Sequence, residues 1–510
     1  MKDRRPPAEV GFAIGLFVAA LAVRLYVASA LAGEPVWDGH YYDFGARHIA
    51  SGFGYADEVM RNGVPTWHPW CHYPVGYSAY LAAFYKVFGT GHGVAHFANA
   101  LVGALLALVT YLLAREALSA RRAMLAGALV GLHPGLVLYS ALLMTEPLSA
   151  LLVLGGFWIA LRIARSGPEP EPGAASQSEV ASRQLWAIAA GALVLGLGAL
   201  VRPQGLLCAP FLVLVTLAPP RAGEARRARP RWRTIATGLV VACAVALVPV
   251  LPWTARNCRV MDGCALVSTN AGWNLAIGSF PRATGRFETL RADDGCREVT
   301  GQVQQDRCWL EYGLANIRRA PRRWLALMPA KLSFTFDHES FAVEYLREAR
   351  PAAWPEPWRV AVRGVLTSVH RVLVAAAALA FVSLAIGGER RARMVQAALL
   401  GALALGALVA LSASSPVFWP IVLVTCALPW LPLPGRPPAH PALLMSVSLV
   451  ATTALAHAIF FGEDRYHMVV TPVLCLLAAA ALRAPAQNTH GASTRGGRAA
   501  GQAQATKASR

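Results

Sequence analysis

The stretch GFAIGLFVAALAVRLYVASAL, residues 11 to 31, carries a single charge, Arg24. About 20 apolar residues cross the hydrocarbon core of a bilayer as a helix, so this stretch predicts a transmembrane helix. It is longer than the apolar region of a usual signal peptide, and Ala28-Ser29-Ala30, which resembles a cleavage site, is read as part of a retained span. Comparable runs recur near 94–114, 123–139, 147–164, 185–201, 205–219, 235–252, 368–387, 394–412, 416–433, 441–460 and 468–482. The expected fold is an all-α polytopic membrane protein of about 12 transmembrane helices, 11 to 13 by where the boundaries are drawn.

Composition agrees. Of 510 residues, 55% are hydrophobic and 15% charged, and the mean hydropathy is +0.43. That balance excludes a soluble enzyme, a secreted module and a disordered chain. The formal charge is +19, but the basic residues are scattered through short loops between spans, so no nucleic-acid partner is expected.

Orientation follows from where the arginines lie. Lys2, Arg4 and Arg5 precede the first span, whereas Glu34, Asp38 and Asp43 follow it, which places the N-terminus in the cytoplasm. Arg115, Arg121 and Arg122, then Arg162 and Arg165, then Arg221, Arg226, Arg227, Arg229, Arg231 and Arg233, then Arg390, Arg391 and Arg393 all fall in loops assigned to the same side. The Pro-Glu stretch within 166–184 reads as a cytoplasmic linker, and 483–510 as a disordered cytoplasmic tail.

Two outer segments are too long for turns, and loops of that length are usually functional. The first, 34–93, is dense in Trp, His and Tyr and includes Tyr77 to Phe88, a mildly apolar stretch expected to lie along the outer membrane surface as an amphipathic helix. The second, 253–367, is expected to form a small extracytoplasmic cap. The chain then divides into a transmembrane module at 1–252 that includes the first outer loop, the cap at 253–367, C-terminal spans at 368–482 and the tail. Cys258 with Cys264, and Cys296 with Cys308, are plausible disulfides in an oxidising compartment, though spacing does not fix connectivity. Cys208, Cys243, Cys426 and Cys475 lie in apolar runs and read as small buried side chains.

The chemistry-bearing candidates gather on the outer side. Asp38, in VWDGHYYD (36–43), stands at a water-lipid boundary, where a general base can meet a water-borne hydroxyl and a lipid-linked partner. The competing reading is an interfacial acid that only helps orientation. Glu146 precedes Pro147 at the start of a span; it is either an N-terminal capping acid or a functional carboxylate facing the bundle interior. Arg24, Arg202, Arg256 and Arg465 share the outer side with Asp38. A guanidinium fork suits phosphate oxygens, and snorkelling is the alternative for each. His68 and His72 have the i, i+4 spacing that chelates zinc on a helix, but Pro69 and the Trp-rich context favour aromatic packing. No metal ligand is assigned, and a divalent metal stays open as a cofactor. No P-loop, Rossmann glycine pattern or nucleophile elbow occurs.

Taken in order, Asp38-Gly39-His40-Tyr41-Tyr42, Gly52-Phe53-Gly54-Tyr55, His72-Tyr73-Pro74-Val75-Gly76-Tyr77, Thr145-Glu146, Arg202-Pro203, Pro252-Trp253-Thr254-Ala255-Arg256-Asn257, Asn270-Ala271-Gly272-Trp273-Asn274 and Gly462-Glu463-Asp464-Arg465-Tyr466 resemble the GT-C superfamily of polytopic glycosyltransferases. The branch is the one related to protein O-mannosyltransferases and aminoarabinose transferases. The resemblance implies transfer of a sugar from a polyprenyl-phosphate donor to a glycan, lipid or protein acceptor on the outer face of the membrane, with Asp38 as the base. Membrane lipids are the other expected partner. Arg465 and Arg256 are the first expected phosphate binders and Arg202 the third. Tyr41, Tyr42 and Tyr466 are expected at the substrate, and Glu146 is expected to orient the acceptor or an arginine. Ser78 and Ser279-Phe280-Pro281 depart from the family pattern. So does Gly39, where protein O-mannosyltransferases carry Glu, which argues against a protein acceptor. The expected location is a bacterial inner membrane with the site facing the periplasm or exterior. The competing class is a lipid-linked sugar flippase or transporter with no transfer chemistry.

Overall fold

The computed structural model describes residues 6–166, 177–218, 232–382, 390–412, 417–431 and 438–482. The basic N-terminal residues 1–5, the Pro-Glu stretch 167–176, the arginines at 221–231 and the tail expected at 483–510 lie outside the described residues.

Each of the twelve apolar runs falls on a helical segment, and the protein is an all-α polytopic membrane protein. Among the described residues seven helices are long and apolar enough to cross a membrane unbroken: Pro7–Leu31, His92–Ala117, Glu146–Arg165, Glu179–Ala199, Glu356–Phe381, Arg390–Leu411 and Pro441–Ile459. Two runs are bent pairs, Ala120–Leu132 with Pro134–Ala141 at 50° and Trp232–Leu247 with Val250–Val260 at 47°. Three are shorter: Pro203–Leu217, Trp419–Trp430 and Thr471–Ala481. Pro203–Leu217 is wound as a 3-10 helix with Pro210 inside it. Such a length is uncommon for this helix type, and each proline removes a donor that an α-helix would need.

Helices are numbered in chain order. α1 (Pro7–Leu31) leads to α2 (Asp38–Ala50), a hairpin of β1 (Ala56–Arg61) and β2 (Val64–Pro69), and α3 (Val75–Phe88). The two strands are antiparallel and meet at Asn62-Gly63, both at positive φ (52° and 81°), the backbone a two-residue hairpin turn requires. α3 buries Tyr77, Ser78, Leu81, Ala82 and Tyr85 against α2 and α4 (His92–Ala117) in a core of its own.

α1, α4 and α5 (Ala120–Leu132) pack together, with α6 (Pro134–Leu138) continuing α5 across the bend. Pro134 breaks the helical ladder there, and Arg24 takes up the freed carbonyls. Its Nη1 donates to the Gly131 carbonyl at 2.8 Å and its Nη2 to the Val130 carbonyl at 3.0 Å. Gly103 on α4 makes the room, since a Cβ at that position would overlap the Arg24 side chain. Arg24 is fully buried and does not snorkel.

α7 (Glu146–Arg165) runs along α8 (Gln177–Ala199). At their crossing Gly156 and Gly191 face each other so closely that a Cβ on Gly191 would sit 2.9 Å from the Gly156 carbonyl. Small residues at such crossings let backbones pack without a solvent-driven force between helices.

After α9 (Trp232–Leu247) come α10 (Val250–Val260), α11 (Ala271–Ile277), α12 (Gln302–Arg319), α13 (Pro321–Phe336), α14 (Phe341–Ala349), α15 (Glu356–Ala378), α16 (Arg390–Ser412), α17 (Trp419–Ala427), α18 (Pro441–Ile459) and α19 (Thr471–Ala481). α10 and α15 run through the expected cap limits at 252/253 and 367/368. Disulfides join Cys258 to Cys264 and Cys296 to Cys308. Cys208 and Cys475 are buried, whereas Cys243 is exposed on the surface of α9.

Candidate active site

Asp38 begins α2. The residue before it, Trp37, has a positive φ of 51°, a costly conformation for a bulky side chain that persists only where its surroundings enforce it. Here the enforcement comes from α14, whose Phe341 and Tyr345 rings pack on Trp37 at 5.6 and 5.8 Å, while the Val36 amide donates to the Tyr345 hydroxyl at 3.2 Å. Asp464 in turn accepts from the backbone N–H groups of Ser340 and Phe341 at the start of α14, which caps that helix. α14 therefore joins the start of α2 to the turn at 463–469, and this places Asp38 against Arg465.

The Asp38 carboxylate accepts from the Tyr73 hydroxyl at 2.7 Å and from Arg465 Nη1 at 2.5 Å. Burial pushes this carboxyl up, but Arg465 and the Tyr73 hydrogen bond outweigh it and leave it below the ordinary Asp value. Arg465 is shared. Its Nε lies 2.5 Å from Glu463 Oε2, its Nη2 faces the Tyr466 hydroxyl at 3.3 Å, and its guanidinium sits 5.0 Å from the Tyr466 ring and 5.1 Å from that of Phe341. Burial works against its charge, yet Glu463, Tyr466 and Asp38 hold the guanidinium well above its usual range. Glu463 is pushed up to about 7, chiefly by burial and against the pull of Arg465.

Arg202 also lies near Tyr466, 5.3 Å from the same ring. Its Nη1 donates to Glu146 Oε1 at 2.7 Å and to Thr145 Oγ1 at 2.9 Å. Glu146 is fully buried at the start of α7, and its Oε2 has no hydrogen-bond partner among the described residues. His457 stacks on Tyr466 at 3.9 Å. A small cavity of about 20 Å³, lined by Arg202, Gln204, His457, Tyr466 and Thr452 among others, has room for about one water. Tyr42 is buried beside Tyr73 at 5.3 Å, and its hydroxyl is pushed well above its usual value by burial and the charges of Asp38 and Glu146. Tyr41 is 43% exposed and its ring lies 5.7 Å from those of Trp70 and Tyr73, tilted by 34° to each.

Of the residues picked from sequence, Asp38, Tyr41, Tyr42, Glu146, Arg202, Arg465 and Tyr466 thus lie along one connected network. Arg256 is held elsewhere. Its Nη1 donates to the Trp70 carbonyl at 3.0 Å and its Nη2 to the Tyr55 carbonyl at 2.7 Å, and it lies 4.7 Å over the Trp253 ring. It fastens the hairpin to α10. His68 is on β2, a strand, where i, i+4 spacing does not bring two imidazoles to one ion; His72 packs edge-on to Tyr73 and Trp273.

Sequence reasoning missed Tyr73, Glu463 and His457. Tyr73 and Glu463 stand inside motifs it quoted, so only their direction was unreadable; His457 stood unmarked in an apolar run. Gly39 gains a reason. A Cβ there would run into the Tyr345 hydroxyl and lie 3.1 Å from the Leu143 carbonyl, so no larger side chain follows Asp38 in this chain.

No family model matches the chain, and no curated protein matches its sequence. Among solved structures it is similar to the Archaeoglobus fulgidus oligosaccharyltransferase tethered with an acceptor peptide containing the NVT sequon, with a TM-score of 0.45 and 15% identity over 92% of this chain and 49% of that one. It is also similar to ArnT from Cupriavidus metallidurans bound to undecaprenyl phosphate, with a TM-score of 0.35 and 16% identity over 92% of this chain and 77% of that one. The chain spans about half the length of the archaeal oligosaccharyltransferase.

Proposed function

We propose that this protein transfers a sugar, with inversion, from a polyprenyl-phosphate donor to an acceptor hydroxyl at the extracytoplasmic face of a bacterial inner membrane. The observation that carries this reading is the direct pairing of Asp38 with Arg465 beside a second guanidinium, Arg202. A carboxylate that is to take a proton stands within reach of cations that suit a departing phosphate.

In the resting site Arg465 neutralises Asp38 and keeps it a weak base. The donor phosphate competes for Arg465, and as the guanidinium turns to the phosphate oxygens the Asp38 carboxylate loses its strongest stabilising partner and becomes more basic. Asp38 then accepts the acceptor hydroxyl's proton, the acceptor oxygen bonds to the anomeric carbon, and the bond from that carbon to the phosphate oxygen breaks. The leaving phosphate keeps the electron pair and needs no acid. Arg465 and Arg202 stabilise the charge it gathers, and Tyr41 and Tyr42 flank the sugar. Donor and acceptor are of the classes expected from the sequence.

The test is transfer of label from a panel of radiolabelled polyprenyl-phosphate sugars to crude envelope acceptor by purified protein in lipid. Asp38→Asn is expected to lower the rate by about 10²–10⁴-fold, the usual contribution of a positioned base. Equal rates in the wild type and Asp38→Asn would remove Asp38 from the mechanism, and an intact donor panel would favour a transporter.

A further inference from the structure

A second cluster of chemistry-bearing side chains lies outside this site. Glu339, between α13 and α14, His370 on α15 and His467 in the turn after Asp464 are all buried, at 3%, 0% and 0% exposure. Each presents one ligand atom, and these atoms lie within 4.8 Å of one another.

The hydrogen bonds of the two imidazoles fix which nitrogen is free. His467 Nδ1–H donates to the Thr335 carbonyl at 2.8 Å, and His370 Nε2–H donates to the Phe336 carbonyl at 2.8 Å. In the neutral form an imidazole carries one N–H, which leaves His467 Nε2 and His370 Nδ1 as the lone pairs available to the cluster. Backbone carbonyls that hold the far nitrogen in this way are the usual outer partners of metal-binding histidines. His370 Nδ1 and Glu339 Oε1 have no hydrogen-bond partner among the described residues, and His467 Nε2 lies 3.3 Å from Glu339 Oε2. Two lone pairs face a carboxylate, which is a repulsive arrangement unless something positive stands between them. No arginine or lysine ion pair with Glu339 occurs among the described residues; the imidazole of His467 is the basic group beside it.

The spacing fits a small cation. Ligand distances of about 2.0–2.2 Å in a tetrahedral site put neighbouring ligand atoms about 3.3 Å apart, the separation His467 Nε2 and Glu339 Oε2 already have. The backbone also leaves room for the carboxylate, since a Cβ on Gly135 would overlap Glu339 Oε1. His133, two residues before that glycine, is buried, and its Nδ1 accepts from the Leu136 amide at 3.4 Å. Its Nε2, which has no hydrogen-bond partner among the described residues, therefore carries the proton and offers no lone pair to an ion.

We propose that Glu339, His370 and His467 form a binding site for a divalent transition cation of the zinc type. Two imidazoles select such an ion over magnesium or calcium, which take oxygen ligands. The ion fastens α15 and the 337–341 segment to the turn that carries Asp464 and Arg465, so it positions the arginine without touching substrate. This inference does not depend on the proposed transfer reaction.

The test is direct. The full chain, freed of any polyhistidine tag, is purified in detergent, stripped with a chelator and dialysed against Zn²⁺ or Co²⁺. A single ion per chain that survives gel filtration is expected, with cobalt showing the intense visible bands of a four-coordinate N/O site. Glu339→Gln, which keeps the volume, is expected to weaken binding by at least the about 10–100-fold that loss of an outer partner alone produces, and zinc is expected to raise the wild-type Tm in proportion to the logarithm of its concentration. Substoichiometric metal in the wild type overturns the proposal and leaves a buried His-Glu pair. Full binding retained in Glu339→Gln also overturns it and puts the ion elsewhere, for example on His68 or His72. Should Glu339→Gln fail to fold, the wild-type cobalt spectrum decides alone, and a weak six-coordinate spectrum counts against the site.

Discussion

Two charged clusters flank the turn at 463–469, and they balance their carboxylates in opposite ways. Toward Asp38 each acid meets a guanidinium: Asp38 and Glu463 meet Arg465, and Glu146 meets Arg202. The side chains of Asp38, Glu463 and Arg465 keep 21%, 27% and 15% of their exposure, so an incoming anion can compete for the arginine. Toward Glu339 the acid meets imidazole lone pairs in a sealed interior. A carboxylate buried without a counter-charge is costly, and nothing arriving from solvent can trade places with its partners. The first arrangement suits exchange of anions and the second suits permanent residence of a cation.

The contrast between exchangeable and fixed charge is best broken at the arginines, after Asp38→Asn itself. Arg465→Ala is expected to cost about 10²–10³-fold in transfer rate, the scale of losing one preorganised donor. It should also move the acid limb of the rate profile to higher pH, because Asp38 loses the partner that holds its carboxyl down. Arg256, whose hydrogen bonds go to backbone carbonyls, is expected to behave differently. Arg256→Ala should expose the hairpin to proteolysis while leaving the position of the acid limb unchanged; a shifted limb would return Arg256 to the phosphate.

Packing at the site gives a smaller effect. Gly39→Ala is expected to destabilise by about 1–3 kcal/mol through overpacking, and Tyr345→Phe, which removes the hydroxyl it would strike, should recover part of that loss. A double-mutant cycle on thermal unfolding measures the coupling, and strict additivity would show that Tyr345 is not the obstacle.

Glu463 supplies the smallest and most specific test. Its carboxyl is raised from 4.5 to about 7 in the fold, so the folded state holds the proton more tightly than the unfolded chain does. Stability from this group is full below about pH 4.5 and is lost as pH rises through about 7. The wild-type Tm should fall across that window and Glu463→Gln should flatten the fall. An unchanged slope would mean that Arg465 compensates Glu463 completely.

Much of this was legible in the chain. Apolar runs of span length report a helix wherever the bilayer is the solvent, because backbone groups there must be satisfied within the segment. The twelve runs each returned a helical segment for that reason. The hairpin at 56–69 was passed over although Asn62-Gly63 announces it, since the aromatic density around it drew the reading toward loop chemistry. Arg24 and Arg256 looked like Arg465 from their side of the membrane alone. Which arginines remain for a ligand depends on the carbonyls nearby, and helix breaks and turns far along the chain create those carbonyls.

By itself the sequence determined that the chain is an all-α membrane protein, where its spans lie, and that Asp38 follows the first span in a segment rich in aromatic residues. Local composition suffices for this, because hydropathy and helix length act over about 20 neighbouring residues. Only the tertiary structure decided that Asp38 meets Arg465, 427 residues away, that Gly39 yields to Tyr345, and that Glu339, His370 and His467 converge. Those contacts depend on α14 being capped by Asp464 and packed under Trp37, and close packing across distant segments leaves no periodic trace in the sequence.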